Sequence, residues 1–364
     1  MIFKNISVKN FYILIFLSLF IVLNFSFNSF SQTAGQVPGS SLGLNSDADL
    51  WRYIRQGNSG DSQIGQLGSE LSAVMIQSEG DNWRSIRNGP LSRYGAYGLI
   101  GMLILLAWFY SYRGRIKVAK GFSGETITRF KAIERFSHWL MAGSFVILAI
   151  TGLNMVYGKF VLLPILGPDA FSALTVAGKY SHNFLAFAFM IGLVMSFFCW
   201  VTHNIPSKLD IEWLKQGGGL FSDDAHPPAR KFNAGQKIIF WAVMLGGLSI
   251  SLSGWALLFP FETKMMAKTF GILNMVGFNL STDLTPLQEQ QLQTIWHGIV
   301  GLVLIIIIIA HIYIGSLGMQ GAFDAMNSGE VDRNWAKEHH GLWVEEEDQK
   351  AKDTGKDGIK QPAE

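Results

Sequence analysis

With 364 residues, 49% of them hydrophobic and only 15% charged, the chain is too apolar for an ordinary soluble protein and reads as a polytopic membrane protein. A formal net charge of +2 gives no basic excess for a nucleic-acid partner and says little else, because the distribution of charge matters more than its sum. The single cysteine, Cys199, excludes an internal disulfide framework, a c-type haem attachment and a cysteine-ligated iron–sulfur cluster.

In chain order, Lys4 and Lys9 precede an apolar core from Phe11 to Phe27, followed by Ser29-Phe30-Ser31 and Gln32. Small residues at the −3 and −1 positions predict a signal peptide over residues 1–31, with a retained anchor helix as the alternative. Residues 32–93 are polar and rich in Gly and Ser, an expected periplasmic segment. They carry a weak duplication, Asp49 to Gly57 against Asp81 to Gly89, in which Trp51 and Trp83 are each followed by Arg at i+1 and i+4. That unit suits a local cap or a partner-docking clip.

Residues 94–112 are apolar enough for an extra transmembrane helix. The linker 113–133 holds Arg113, Arg115, Lys117, Lys120, Arg129 and Lys131, and the positive-inside rule places it in the cytoplasm. Four more apolar segments follow at about 136–157, 178–202, 237–259 and 293–318, within a domain spanning 134–319. The loop 203–236 carries Lys208, Lys215, Arg230 and Lys231 and is expected inside; the loops 158–177 and 260–292 are poorer in basic residues and are expected outside. The charged tail 320–364 then lies in the cytoplasm. The expected fold class is an all-α membrane protein, a four-helix transmembrane bundle plus one extra N-terminal helix. Its mature N-terminus would be periplasmic and its C-terminus cytoplasmic, in a bacterial inner membrane.

Histidine placement carries the chemistry. His297 and His311 lie fourteen residues apart on one apolar stretch. At 100° per residue that is only about 40° short of four full turns, so both rings leave one helix face. They stand roughly 21 Å apart along the axis, one near each surface of an apolar layer about 30 Å thick. Intramembrane imidazoles are costly and usually mark a relay or a cofactor. His138 opens the second span at its inner end, and His182 lies near the outer end of the third. Depth therefore pairs His182 with His297 and His138 with His311, giving two bis-imidazole sites suited to two haem irons. Both axial positions would be filled, which favours electron transfer over oxygen chemistry. A lone intramembrane histidine is often a structural hydrogen-bond partner, but four that pair by depth are hard to explain so. His203, His226, His339 and His340 fall in the loop or tail and are expected to be solvated. Gly143, Gly152, Gly192, Gly298 and Gly301 would let a porphyrin or a neighbouring helix approach. Arg135 could neutralise a propionate, and Cys199 reads as filler.

Lys231-Phe232-Asn233-Ala234-Gly235-Gln236-Lys237 leads into the fourth span at the inner interface. Asn233, a backbone amide near Gly235 and Gln236 could donate hydrogen bonds to a quinone carbonyl. The competing reading makes Asn233 a helix N-cap, and spacing alone favours the cap. No catalytic residue is assigned.

From His138 to Trp343 the chain resembles the cytochrome b gamma subunit of respiratory formate dehydrogenase. The matching pieces are Ser137-His138-Trp139, Thr151-Gly152, His203-Asn204-Ile205-Pro206, Asp210-Ile211, Trp213-Leu214, Phe232 to Lys237, His297, His311-Ile312-Tyr313 and Trp335 to His340. Ser181-His182-Asn183 departs from the His-Pro of some relatives, and the N-terminal part resembles a longer form of that family. The resemblance implies two b haems, held by His182 with His297 and by His138 with His311. It also implies a menaquinone site at Asn233 and Gly235, close to His311. The implied partners are an iron–sulfur beta subunit and a molybdenum- or tungsten-containing catalytic alpha subunit that oxidises formate, in anaerobic respiration. A nickel–iron hydrogenase or thiosulfate reductase subunit, or a haem-free anchor or proton relay, stays open as the alternative.

Overall fold

The computed structural model describes residues 80–353 apart from 223, 224 and 261. The expected signal peptide and the first copy of the Trp-Arg duplication lie outside the described residues. Among them, five helices are long and apolar enough to cross a membrane: Asn82–Arg113, Ala132–Val161, Leu163–His203, Ala234–Leu258 and Pro286–Gly318. The chain is an integral membrane protein.

The first span is helix α1 (Gly80–Ile86), a π-helical turn over Arg87–Leu91 that contains Pro90, and α2 (Ser92–Arg113). It begins well before the expected 94–112, and the second Trp-Arg copy forms its opening turns. There the Arg87 guanidinium lies 5.9 Å over the Trp83 ring and donates to the Met155 carbonyl at 3.1 Å. α3 (Ala132–Val161) and α4 (Leu163–Trp200) follow, with Gly167 at φ 76° breaking α4 just before Pro168. The short α5 (Lys208–Lys215) lies in the 203–236 loop, and α6 (Ala234–Leu258) is the fourth span. α7 (Met265–Met275) occupies the 260–292 loop before α8 (Pro286–Tyr313).

α3 packs on α4, α4 on α6 and α6 on α8, while α2 lies against α8. Apolar burial drives little of this inside a bilayer, so close backbone approach does more. A Cβ at Gly192 would come within 2.7 Å of the Met141 backbone nitrogen, so only glycine lets α4 sit this close to α3. The helix starts are chemically fixed. Thr285 and Gln288 form a reciprocal capping box ahead of Pro286 on α8, and Asn233 and Gln236 form another on α6. Glu289, 3% exposed, accepts the Met266 and Ala267 amides at 2.9 and 2.8 Å and so ties α7 to α8.

The 113–133 linker and the tail are not separate solvated segments. Strand β1 (Thr126–Thr128) pairs antiparallel with β2 (Glu330–Asp332), which follows the single turn α9 (Asp324–Asn327). Ile116 and Met319 form a further bridge. Helix α10 (Arg333–Asp353) then places Trp335, Ala336, Trp343 and Val344 against Val118 and Phe130. Glu338 accepts the Ala119 and Lys120 amides at 3.0 and 3.1 Å.

This cap corrects the expectation of solvated tail histidines. His226 is exposed, but His340 is 1% exposed and its Nδ1–H donates to the Arg230 carbonyl at 2.8 Å. Arg129, 3% exposed, lies within 5.4 Å of the Phe130, Trp335 and Trp343 rings. Burial pushes Arg129 down to about 9, partly offset by Glu134, which still leaves it charged at neutral pH. Burial also holds His340 well below its usual value, and lowers His339 to about 4 with Glu338 partly opposing.

Both imidazoles are therefore neutral in the folded cap, and the unfolded chain takes up protons first as pH falls below about 6.5. Stability is fully present above that value and falls towards pH 4, by up to about 1.4 kcal/mol per pH unit for each group. The expected result is a declining unfolding midpoint of the detergent-purified protein over that range. A flat profile there would overturn the assignment.

Candidate functional site

The single helix α8 runs unbroken from His297 to His311, so the fourteen-residue spacing places the rings roughly 21 Å apart along its axis. The His182 ring centre lies 6.2 Å from that of His297, with the planes at 60°. His138 lies 6.4 Å from His311 at 58°. All four rings are half-buried. Both pairings expected from depth are thus brought together, α4 meeting α8 at one level and α3 meeting α8 at the other.

These distances test a cofactor directly. A metal–imidazole bond is about 2 Å and a ring nitrogen lies just over 1 Å from its ring centre, so two trans imidazoles on one iron have centres roughly 6.3 Å apart. Both pairs meet that spacing. Among the described residues no group of three or more His, Cys, Asp or Glu side chains could hold a bare ion. A pair of opposed imidazoles suits a group that brings its own equatorial ligands, as haem does.

The His182–His297 pair has partners that the sequence reading missed. Nδ1 of His182 lies 2.8 Å from Oγ1 of Thr151 on α3, and Nδ1 of His297 lies 2.9 Å from Oγ of Ser253 on α6. Glycine follows each hydroxyl residue. A Cβ at Gly152 would lie 3.6 Å from Cε1 of His182, and one at Gly254 would lie 3.2 Å from Cε1 of His297. The only available signal was a hydroxyl-Gly dipeptide on each of two spans, too common to single out. At the His138–His311 pair, Nδ1 of His138 is buried without a protein partner, and the ring stands beside Trp139 and Trp200 at 5.1 and 6.4 Å.

The other expected small residues sort by contact. Gly298 faces Leu91 and Gly301 faces Ile250, so they serve helix packing, whereas Gly143 faces open space. Arg135 donates to the Phe130 carbonyl at 3.0 Å. Cys199 is a free thiol, partly buried against the apolar core.

At the start of α6, Asn233 accepts the Gln236 amide at 2.9 Å, and Gln236 Oε1 accepts the Asn233 N–H at 3.1 Å. The Arg129 guanidinium also reaches Gln236 Oε1 at 3.4 Å. Asn233 is therefore an N-cap, and the cap uses its oxygen while its amide NH2 remains a pair of donors. A Cβ at Gly235 would lie 3.0 Å from the Trp213 ring, which explains the glycine. Beside this terminus Glu134 accepts from Lys231 at 2.7 Å and from the Trp200 indole at 2.9 Å.

Residues 129–329 match the family described as prokaryotic cytochrome b561. The chain is 29% identical over 236 residues to the nitrate-inducible formate dehydrogenase cytochrome b556(Fdn) subunit of Escherichia coli K12, covering 64% of this chain and 97% of that one. It is 28% identical over 223 residues to the formate dehydrogenase cytochrome b556(fdo) subunit of the same strain, covering 61% and 93%. Identity to the formate dehydrogenase cytochrome b556 subunit of Haemophilus influenzae is 26% over 227 residues, covering 61% and 83%. Five apolar helices, imidazoles opposed in two pairs and a match over more than half its length make this chain a member of the prokaryotic cytochrome b561 family, whose cofactor is haem b.

Proposed function

We propose that this chain is the membrane cytochrome b subunit of a formate dehydrogenase, taking electrons from an iron–sulfur subunit at the outer surface and delivering them to quinone at the inner one. The observation that carries it is the pair of opposed imidazole sites, 6.2 and 6.4 Å between ring centres, at the two ends of one helix. His182 and His297 would hold one haem b, and His138 and His311 a second. Haem bound there would supply one-electron redox chemistry. The names of the relatives favour formate over another donor.

The chain's own residues then have defined tasks. Basic residues on the linker and the 203–236 loop hold the His138 end at the cytoplasm. At that end the Asn233 amide NH2 can donate to a quinone carbonyl, while Gln236 and the backbone near Gly235 shape the helix terminus. Menaquinone is the expected substrate, taking its protons from the cytoplasm. Electrons moving inward and protons consumed inside together add to the membrane potential, worth about 2.3 kcal/mol per charge per 100 mV. A molybdenum or tungsten alpha subunit would carry formate oxidation itself.

The testing experiment is a pyridine haemochrome count on the purified complex, with a formate-reduced minus oxidised spectrum. Two b haems per chain, both reduced by formate, are expected. A folded complex without haem would replace this reading with the anchor or proton relay. Haems that dithionite reduces but formate does not would remove the assigned donor.

A further inference from the structure

The two imidazole pairs differ in what stands behind them. At the outer pair, each hydroxyl has its own proton committed: Thr151 donates to the carbonyls of Ile147 and Leu148 at 2.8 and 3.1 Å, and Ser253 donates to that of Ile250 at 3.0 Å. With that proton spent, the hydroxyl oxygen can only accept from the histidine. Nδ1 of His182 and of His297 therefore carries the hydrogen, and Nε2 of each carries the lone pair. The unit is thus repeated on α3 and α6: a hydroxyl residue and then a glycine, both against one imidazole. His138 at the inner pair has no such support, since its buried Nδ1 finds no protein acceptor.

An imidazole whose N–H donates a hydrogen bond is oriented and is a stronger electron donor through its other nitrogen. A more electron-rich axial ligand favours the oxidised iron and lowers the reduction potential.

We propose that Thr151 and Ser253 are positioning residues that fix the outer histidines as Nε2 ligands and set the outer haem at a lower reduction potential than the inner one. This rests on the reading of His182 and His297 as haem ligands. It makes transfer from the outer to the inner face downhill within this chain, through two hydroxyls that act by way of the histidines they hold.

The test is a potentiometric titration of the intact complex, followed in the visible haem bands and in the low-spin EPR signals. Thr151→Val and Ser253→Ala remove the acceptors, Thr151→Val with almost no change in shape. Each is expected to shift one of the two midpoints upward, by roughly tenfold in the oxidised-to-reduced ratio or about 59 mV for one electron. The other midpoint stays in place, and Thr151→Ser and Ser253→Thr restore the wild-type value. Loss of one haem from Thr151→Val but not from Thr151→Ser also supports the proposal, because the hydroxyl is then needed to hold the ligand. Two equal midpoints in the wild type, or unmoved midpoints and EPR signals in both variants, would overturn it. A folded wild-type complex lacking a second haem would instead overturn the ligand reading beneath it, and the haem count taken first keeps the two failures apart.

Discussion

His297→Ala is expected to lower the haem content from two per chain to one, with the surviving haem at the inner site. The substitution removes one of two opposed rings and leaves His182 facing an empty side, while His311 stays on the same helix roughly 21 Å away. Nothing in the outer pair contacts the inner one, so effects at such separation should be independent. His311→Ala should give the mirror result, sparing the site at which Thr151 and Ser253 stand. Either change should reduce formate-dependent quinone reduction to background, because neither site alone bridges the two faces. Difference spectra with a haemochrome count decide this. Loss of both haems in both variants would mean that the pairs are one folding unit rather than two sites, and an unchanged count would dismiss the ligand assignment.

The separation of the sites was readable before any fold was known, because it depends on one helix. Periodicity fixes the face and rise fixes the distance, and neither needs a tertiary contact. The pairing across helices followed from depth, since an α-helix that must span has few ways to place its ends. The cap at Asn233 was likewise local, because it announces a helix start from its own chemistry. Asn233 was read both ways, as cap and as quinone donor. The structure places it as a cap, and the two roles use different atoms of one side chain.

What stayed hidden was set by partners distant in sequence. β1 and β2 are three residues each and pair across some two hundred positions, so neither shows a strand pattern long enough to notice. His340 reads as a solvated tail residue until α10 folds back over Arg129 and Phe130. Ser253 meets His297 from a different helix, and nothing local marks it out among the serines of an apolar span. Apolar composition says that a helix lies in the membrane. It does not say which few polar atoms face inward.

Glu134→Ala should be the most damaging change outside the histidines. The carboxylate, 7% exposed, accepts the Lys131 amide at 2.8 Å, the Lys231 ammonium at 2.7 Å and the Trp200 indole at 2.9 Å. It thereby joins the linker, α3, the end of α4 and the start of α6 at one point. Its removal strands a largely buried Lys231 charge, and breaking such a pair from one side costs about 3–5 kcal/mol. Trp200, which stands beside His138, loses its anchor as well. The expected readout is an earlier thermal loss of the inner-site haem spectrum, with the outer one holding longer. Glu134→Gln should cost less, since its one amide oxygen can keep the contacts with Trp200 and Lys231 and gives up only the one with the Lys131 amide. Pairing Glu134→Leu with Lys231→Met tests the origin of the cost, because a buried ion pair replaced as a whole by apolar groups is often neutral or stabilising. Recovered stability with normal quinone reduction would make the pair purely structural. Recovered stability with lost quinone reduction would place these two charges on the proton path to the inner site, next to the Asn233 terminus they already support.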